Sequence, residues 1–313
     1  MSETNHFLSQ KLSDICNTIY KPNDTGINIV SLIKNITIQG ITDFAKNNRL
    51  DHYLSLSCKH SINENQEWRL ACETIVVEYN NYKNKLANSI KKVTKCAGKT
   101  PFLVIKTFSC YPHITSDLDI LVMNIQAEDR LISALKNLHW QNPEEIEIDV
   151  NHEISWSGAD AVSHKFIWDN TRQMEFEGIN FLVPNSKLDI LIRIGHMAFE
   201  LAQVRLGEIL HIFRQAKEID WDEIATEAEY MGWPKTFRKL SNILNQIHKT
   251  LFDEPFLNTH NNKKIYNKIN FPFQLPYAIL LLGVIEKRAW GKIYGGRYIV
   301  KDRCLRWLQK ITR

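Results

Sequence analysis

Two aspartates one residue apart, Asp117 and Asp119, enclose Leu118 and run into Ile120, Leu121 and Val122. On a strand, successive side chains point to opposite faces, so the two carboxylates share one face while Leu118 turns to the core. Neighbouring like charges repel unless a cation sits between them, and hard carboxylate oxygens suit Mg²⁺ or Mn²⁺. A metal held there can bridge the phosphates of a nucleotide and offset the charge that develops on a leaving pyrophosphate. A third carboxylate would complete such a site and accept the proton of an attacking hydroxyl. Asp149 is the candidate: Ile146, Ile148 and Val150 alternate with Glu147, Asp149 and Asn151, the period of a half-buried strand. Glu147, on the same face, is the second choice.

Other chemistry-bearing residues each admit two readings. Lys106 either faces solvent at the end of the apolar run Phe102 to Ile105 or reaches a phosphate. Ser116 either caps the turn before the Asp117 strand or contacts phosphate. His152 either orients a substrate or packs near the sheet. His196 and Glu200 are one helical turn apart, a spacing that can ligate metal, although a mostly apolar helix more often carries a packed His. Trp221 and Trp233 read as core residues. Trp290 to Tyr298 mixes aromatic, basic and glycine residues and reads as a base-stacking surface or a packed turn. There is no Gly-x-Ser-x-Gly, no Walker A sequence and no dinucleotide glycine fingerprint.

The elements that must position these residues follow from periodicity. Leu12, Ile15 and Ile19, then Ile29, Leu32, Ile33 and Ile36, then Ile75, Tyr79, Tyr82, Leu86, Ile90 and Val93 fall at helical spacing, the last run closing at Gly98. The period then changes. Strands are expected at Phe102–Ile105, at Asp117–Val122 and around Asp149, with a helix through Ala127, Leu131, Leu135 and Leu138 between the last two. Met174 and Phe176, then Ile179, Phe181 and Val183, form a hairpin turning at Glu177-Gly178. Asn185 or Ser186 opens a helix, with Ser186 and Asp189 spaced as a capping box. Asp220 caps another helix, stopped at Gly232 and Pro234, and Phe237, Leu240, Leu244, Ile247 and Leu251 form an amphipathic stripe. Asn258 to Asn262 reads as an exposed loop. The fold class is α+β: a helical region over 1–98, a small mixed-sheet core over 99–184, and a helical region over 185–313.

At these residues the chain resembles the nucleotidyltransferase superfamily, the DNA polymerase beta-like fold, and within it the uncharacterised bacterial and archaeal nucleotidyltransferase family. The resemblance rests on Val104-Ile105-Lys106, the loop to Ser116, and Asp117-Leu118-Asp119-Ile120-Leu121-Val122. Weaker matches are Ile148 to Ile154, with Asp149 and His152, and Phe181 to Pro184 leading to Leu191, His196 and Ile219-Asp220-Trp221. It covers roughly residues 100 to 235. It implies Asp117, Asp119 and Asp149 as metal ligands and catalytic groups, an NTP as substrate, and pyrophosphate as product. One departure stands out. The superfamily usually carries Gly-Ser or Gly-Gly about ten residues before the acidic pair, whereas this chain reads Lys106-Thr107-Phe108-Ser109. Backbone access to a triphosphate is then poorer. Lys106, Thr107 and Ser109, with Ser116, are the expected substitute contacts.

The 313 residues are 44% hydrophobic and 24% charged, ordinary globular composition and enough to bury a core. No apolar run reaches the length of a membrane span, and the first residues lack a signal-peptide layout. Six scattered cysteines argue against a zinc ribbon or a disulfide framework and for a reducing, cytoplasmic setting. Net charge is +4, but nine Lys/Arg follow Ile285 against Glu286 and Asp302, which reads either as a solvated helix face or as an RNA-facing end. The leading expectation is an ATP- or other NTP-using, Mg²⁺-dependent transferase whose hydroxyl acceptor is a small molecule, a protein or RNA. The rivals are a catalytically degenerate binding module of the same fold and a basic nucleic-acid-binding protein.

Overall fold

A computed structural model of the chain describes residues 16, 38–58, 66–137, 145–156, 159–200, 203–217, 219–257 and 271–289. The helical runs expected before residue 37, the loop at Asn258 to Asn262, and the aromatic-basic segment after Ala289 lie outside them.

The core is a mixed sheet of five strands: β1 (Phe102–Ile105), β2 (Asp117–Val122), β3 (Glu147–Asn151), β6 (Thr171–Phe176) and β7 (Ile179–Pro184), in the order β3-β2-β1-β7-β6. β1 runs antiparallel to β2 and parallel to β7, and β2 runs parallel to β3. Parallel neighbours need a crossover, and α4 (Ile125–Asn137) supplies it between β2 and β3, burying Ala127, Leu131 and Leu135. β6 and β7 form the expected hairpin. Its turn residues Glu177 and Gly178 both have positive φ, 50° and 74°, as a type I′ turn requires.

Each face of the sheet has its own core. Phe102, Val104, Leu118, Ile120 and Val122 face α4 and the 32-residue α3 (Gln66–Ala97), whose Tyr82, Leu86, Ile90 and Val93 form the buried stripe read from the sequence. Leu103, Ile105 and Leu121 face the second core, centred on α6 (Ser186–Phe199). That helix is buried on nearly all sides, between α7 (Leu206–Ala216), α8 (Trp221–Tyr230), α9 (Pro234–Phe252) and α10 (Tyr277–Ala289). The short helices α1 (Ile38–Asn47) and α2 (Asp51–Cys58), with the turn between them, add Ile41, Ala45, Leu50 and Leu54 to the same core. β4 (Ser155–Trp156) and β5 (Ala159–Asp160) make a small hairpin, α5 is His164–Asp169, and β8 (Gln203–Val204) pairs with β9 (Phe273–Gln274). Among the described residues no helix is long and apolar enough to cross a membrane.

Two expectations change. Asn185 alone caps α6, its side chain accepting from the Leu188 N–H, while Asp189 turns into the core to meet Arg193 and His211 instead of closing a capping box. Lys287, the first of the nine terminal cations, is neither a solvated charge nor a phosphate ligand. It is fully buried and donates to the carbonyls of Asp160 and Met231. Its neighbour Glu286 caps α9 by accepting from the N–H groups of Lys235 and Thr236.

Trp233 anchors the helical core. It is fully buried, meets Phe199 and Phe237 edge to face, and donates from Nε1 to the Ala161 carbonyl at 3.0 Å. Trp233→Ala is expected to cost about 3–5 kcal/mol in denaturant unfolding. A loss below about 1 kcal/mol would contradict this packing.

Candidate active site

The acidic residues sit where the sheet edge opens. In the β2–β3 ladder Asp119 lies opposite Asp149 and Asp117 opposite Glu147, so the alternation seen in the sequence brings Asp119 and Asp149 side by side on one face. β3 follows that alternation, with Ile148 and Val150 buried and Glu147, Asp149 and Asn151 exposed. Ile105, the last residue of β1, pairs with Asp119 and brings Lys106 to the same edge. Asp117, Asp119, Asp149, Lys106 and Ser116 all line one cleft of about 370 Å³. Glu147, the second choice for the third acid, is outside its lining.

Charge is concentrated here. Asp119 is only 9% exposed. Burial pushes its carboxyl above the usual aspartate range; Lys106 opposes that shift, and the charges of Asp117 and Asp149 add to it. Lys106 Nζ stands 3.0 Å from Asp119 Oδ2 and 6.0 Å from the centre of the Trp156 ring. Lys106 takes a left-handed backbone conformation (φ 57°), unusual for a residue with a Cβ, as the chain turns off β1. The Thr107 N–H closes that turn on the Ile105 carbonyl at 2.7 Å.

The other expected phosphate contacts separate. Ser116 stays in the cleft, its hydroxyl 3.2 Å from Asp117 Oδ1. Thr107 is buried, and its hydroxyl donates back to the Ile105 carbonyl. Ser109 lines a different cavity, of about 280 Å³, with Arg172, Ser186 and Gln215. His152 turns to Glu128 on α4 at 2.5 Å.

The far wall of the cleft comes from α6. Arg193, His196, Met197 and Glu200 recur three and four residues apart, which is one helix face, and all four line the cleft. His196 packs against Trp156 of β4, ring centres 5.4 Å apart, and stands 3.6 Å from Glu200. Gly195 permits the approach of that hairpin, since a Cβ there would lie 2.9 Å from the Trp156 ring. Arg49, from the turn between α1 and α2, and Glu208 of α7 complete the wall and pair at 3.0 Å. Periodicity could show that α6 is buried, but not that Arg193 reaches a cleft; the one available signal was an arginine inside an apolar run.

Behind the wall lies a buried network. Asp189 accepts from Arg193 Nε at 3.0 Å, from His211 Nε2 at 2.5 Å and from Gln215 Nε2 at 2.8 Å. The Cys110 N–H donates to His211 Nδ1 at 2.9 Å, so His211 is neutral with its proton on Nε2. Arg193 Nη2 then donates to the Phe108 carbonyl and to Ser109 Oγ, tying the segment after β1 to α6.

Among the described residues no group of three or more His, Cys, Asp or Glu side chains is gathered so as to enclose a metal ion. The donor set nevertheless fits one kind of ion. Mg²⁺ keeps several waters and is commonly bound by one or two carboxylates with substrate phosphates completing the shell. Asp117, Asp119 and Asp149 are carboxylates of that kind on an open wall. Comparison with known proteins adds nothing to this geometry: no family model, curated protein or solved structure matches the chain.

The Asp189 network has a pH signature. Burial raises the Asp189 carboxyl, but Arg193 and His211 together outweigh it and hold the group below its ordinary value of 3.8. Its contribution to stability is therefore complete above that value. It is lost as the pH falls below it, because the unfolded chain then takes up a proton that the folded chain refuses. Asp189→Asn is expected to cost about 3–5 kcal/mol at neutral pH by leaving Arg193 uncompensated, and to flatten the loss of stability below pH ~4. Equal acid slopes for the two proteins, read from denaturant midpoints, would contradict it.

Proposed function

We propose that the protein is a metal-dependent nucleotidyltransferase of the DNA polymerase beta-like type, moving a nucleoside monophosphate from an NTP to a hydroxyl acceptor. The observation that carries this reading is the convergence of Asp117, Asp119 and Asp149 with Lys106 in one cleft. A bound Mg²⁺ would neutralise charge on the phosphates and on the departing pyrophosphate. Asp117 and Asp119 would hold that ion. Asp149, on the neighbouring strand, accepts the acceptor's proton as the oxygen–phosphorus bond forms at the α-phosphate and the bond to the β-phosphate oxygen breaks. Lys106 pairs with Asp119 in the free protein and moves to a phosphate oxygen when the nucleotide enters. Trp156 and His196 close the apolar side of the cleft. The acceptor is a small molecule, a protein side chain or an RNA end.

One observation favours a second reading, a non-catalytic module of the same fold. Thr107 and Ser109, the expected replacements for the missing glycines, both face away from the cleft.

Pyrophosphate release from NTPs in the presence of mixed hydroxyl acceptors separates the two. The transferase reading expects release by wild type, and at least about a hundredfold less by Asp149→Asn, with Mg²⁺–NTP affinity kept within a few-fold. Release that is unchanged in Asp149→Asn would remove Asp149 from the chemistry. The absence of release by wild type across all NTPs and acceptors would favour the module.

A further inference from the structure

If a nucleotide enters this cleft, its triphosphate needs cationic partners, and the segment after β1 supplies one, Lys106. Two guanidinium groups stand on the opposite wall. Arg193 is 6% exposed and fixed by three acceptors: Asp189 through Nε, and the Phe108 carbonyl and Ser109 Oγ through Nη2. Among the described residues its Nη1 has no partner, and the residue lines the cleft. Arg49 pairs through Nη1 with Glu208, is one-third exposed and lines the cleft. The two act on a common neighbour. His113 is buried, and burial together with the positive charges of Arg193 and Arg49 pushes its imidazole down to about 3.

We propose that Arg193 and Arg49 form a polyphosphate-binding wall that takes the anionic tail of a metal-charged nucleotide, in place of a glycine-bearing turn. This rests on the nucleotidyltransferase reading and names the phosphate partners within it. A guanidinium fork held rigid by its other hydrogen bonds donates to phosphate oxygens with little further loss of conformational freedom. The charge balance sets a condition. Six carboxylates line the cleft against three Lys/Arg cations, so a bare polyphosphate is repelled and one carrying Mg²⁺ is accepted.

The test is calorimetric titration of inorganic pyrophosphate, with and without Mg²⁺, into the full chain and into Arg49→Gln, Arg193→Lys and Arg172→Gln. Arg172 lines the second cavity and serves as the charge control. Binding by wild type should require Mg²⁺ and weaken roughly tenfold or more in Arg49→Gln and in Arg193→Lys, each of which loses a charge-assisted contact. It should be unchanged in Arg172→Gln. Arg193 is buried and Arg193→Lys can fail to fold, so thermal melts accompany each titration and the part-exposed Arg49→Gln carries the test by itself. Equal affinity in wild type and Arg49→Gln, or no Mg²⁺-dependent binding by wild type, would overturn the proposal. Failure of the transferase reading shows elsewhere: pyrophosphate binding is lost in Arg49→Gln while no NTP is turned over with any acceptor.

Discussion

A carboxylate nine-tenths buried beside two others of the same charge needs a compensating cation if it is to stay ionised, and Asp119 is in that position. In the free protein the cation is Lys106. Much of the local architecture serves this contact. β1 ends at Ile105, opposite Asp119, and the left-handed turn at Lys106 brings its ammonium back over the strand edge. The β2–β3 ladder fixes Asp149 beside Asp119. A register slip of one residue would turn both acids into the core, so the burial of Leu118, Ile120, Ile148 and Val150 is what holds the acidic face toward the cleft.

The second constraint is to hold the segment after β1 against α6. Arg193 does this through its two bonds to Phe108 and Ser109, and Asp189 holds Arg193 in turn. A buried ion pair of this kind adds little net stability over an apolar replacement, but removing one member leaves a charge with no compensation. Its value here is positional. The same arginine that fastens the segment also lines the cleft, so the wall and the loop are tied together by one side chain.

The sequence carried the strands, the hairpin at Glu177-Gly178, the long helix ending at Gly98 and the stripe of α9, because each has its own period or turn chemistry within a short window. It also carried the acidic face, since alternation along β2 and β3 sorts Asp117, Asp119 and Asp149 from their apolar neighbours. The opposite wall was not legible. Arg49 and Glu208 meet across 159 positions of sequence, and nothing local to either announces the other. Asp189 has capping-box spacing, yet Asn185 takes the cap, and the buried Arg193 cation and the Nε2–H of neutral His211 draw the carboxylate inward. Thr107 and Ser109 have residue types that suit phosphate contact, yet the Thr107 hydroxyl bonds back to the Ile105 carbonyl and Ser109 lines the second cavity. Lys287 belonged to a basic run, and two carbonyls inside the core claim it.

The most direct test of the central claim is calorimetric titration of Mg²⁺–ATP, followed by the other NTPs, into wild type and into the Asp117→Asn, Asp119→Asn double variant. The account requires metal-dependent binding to wild type and its loss in a variant that still unfolds cooperatively. Equal binding to both proteins, or no binding of any NTP to wild type, would contradict a nucleotide site built on these carboxylates.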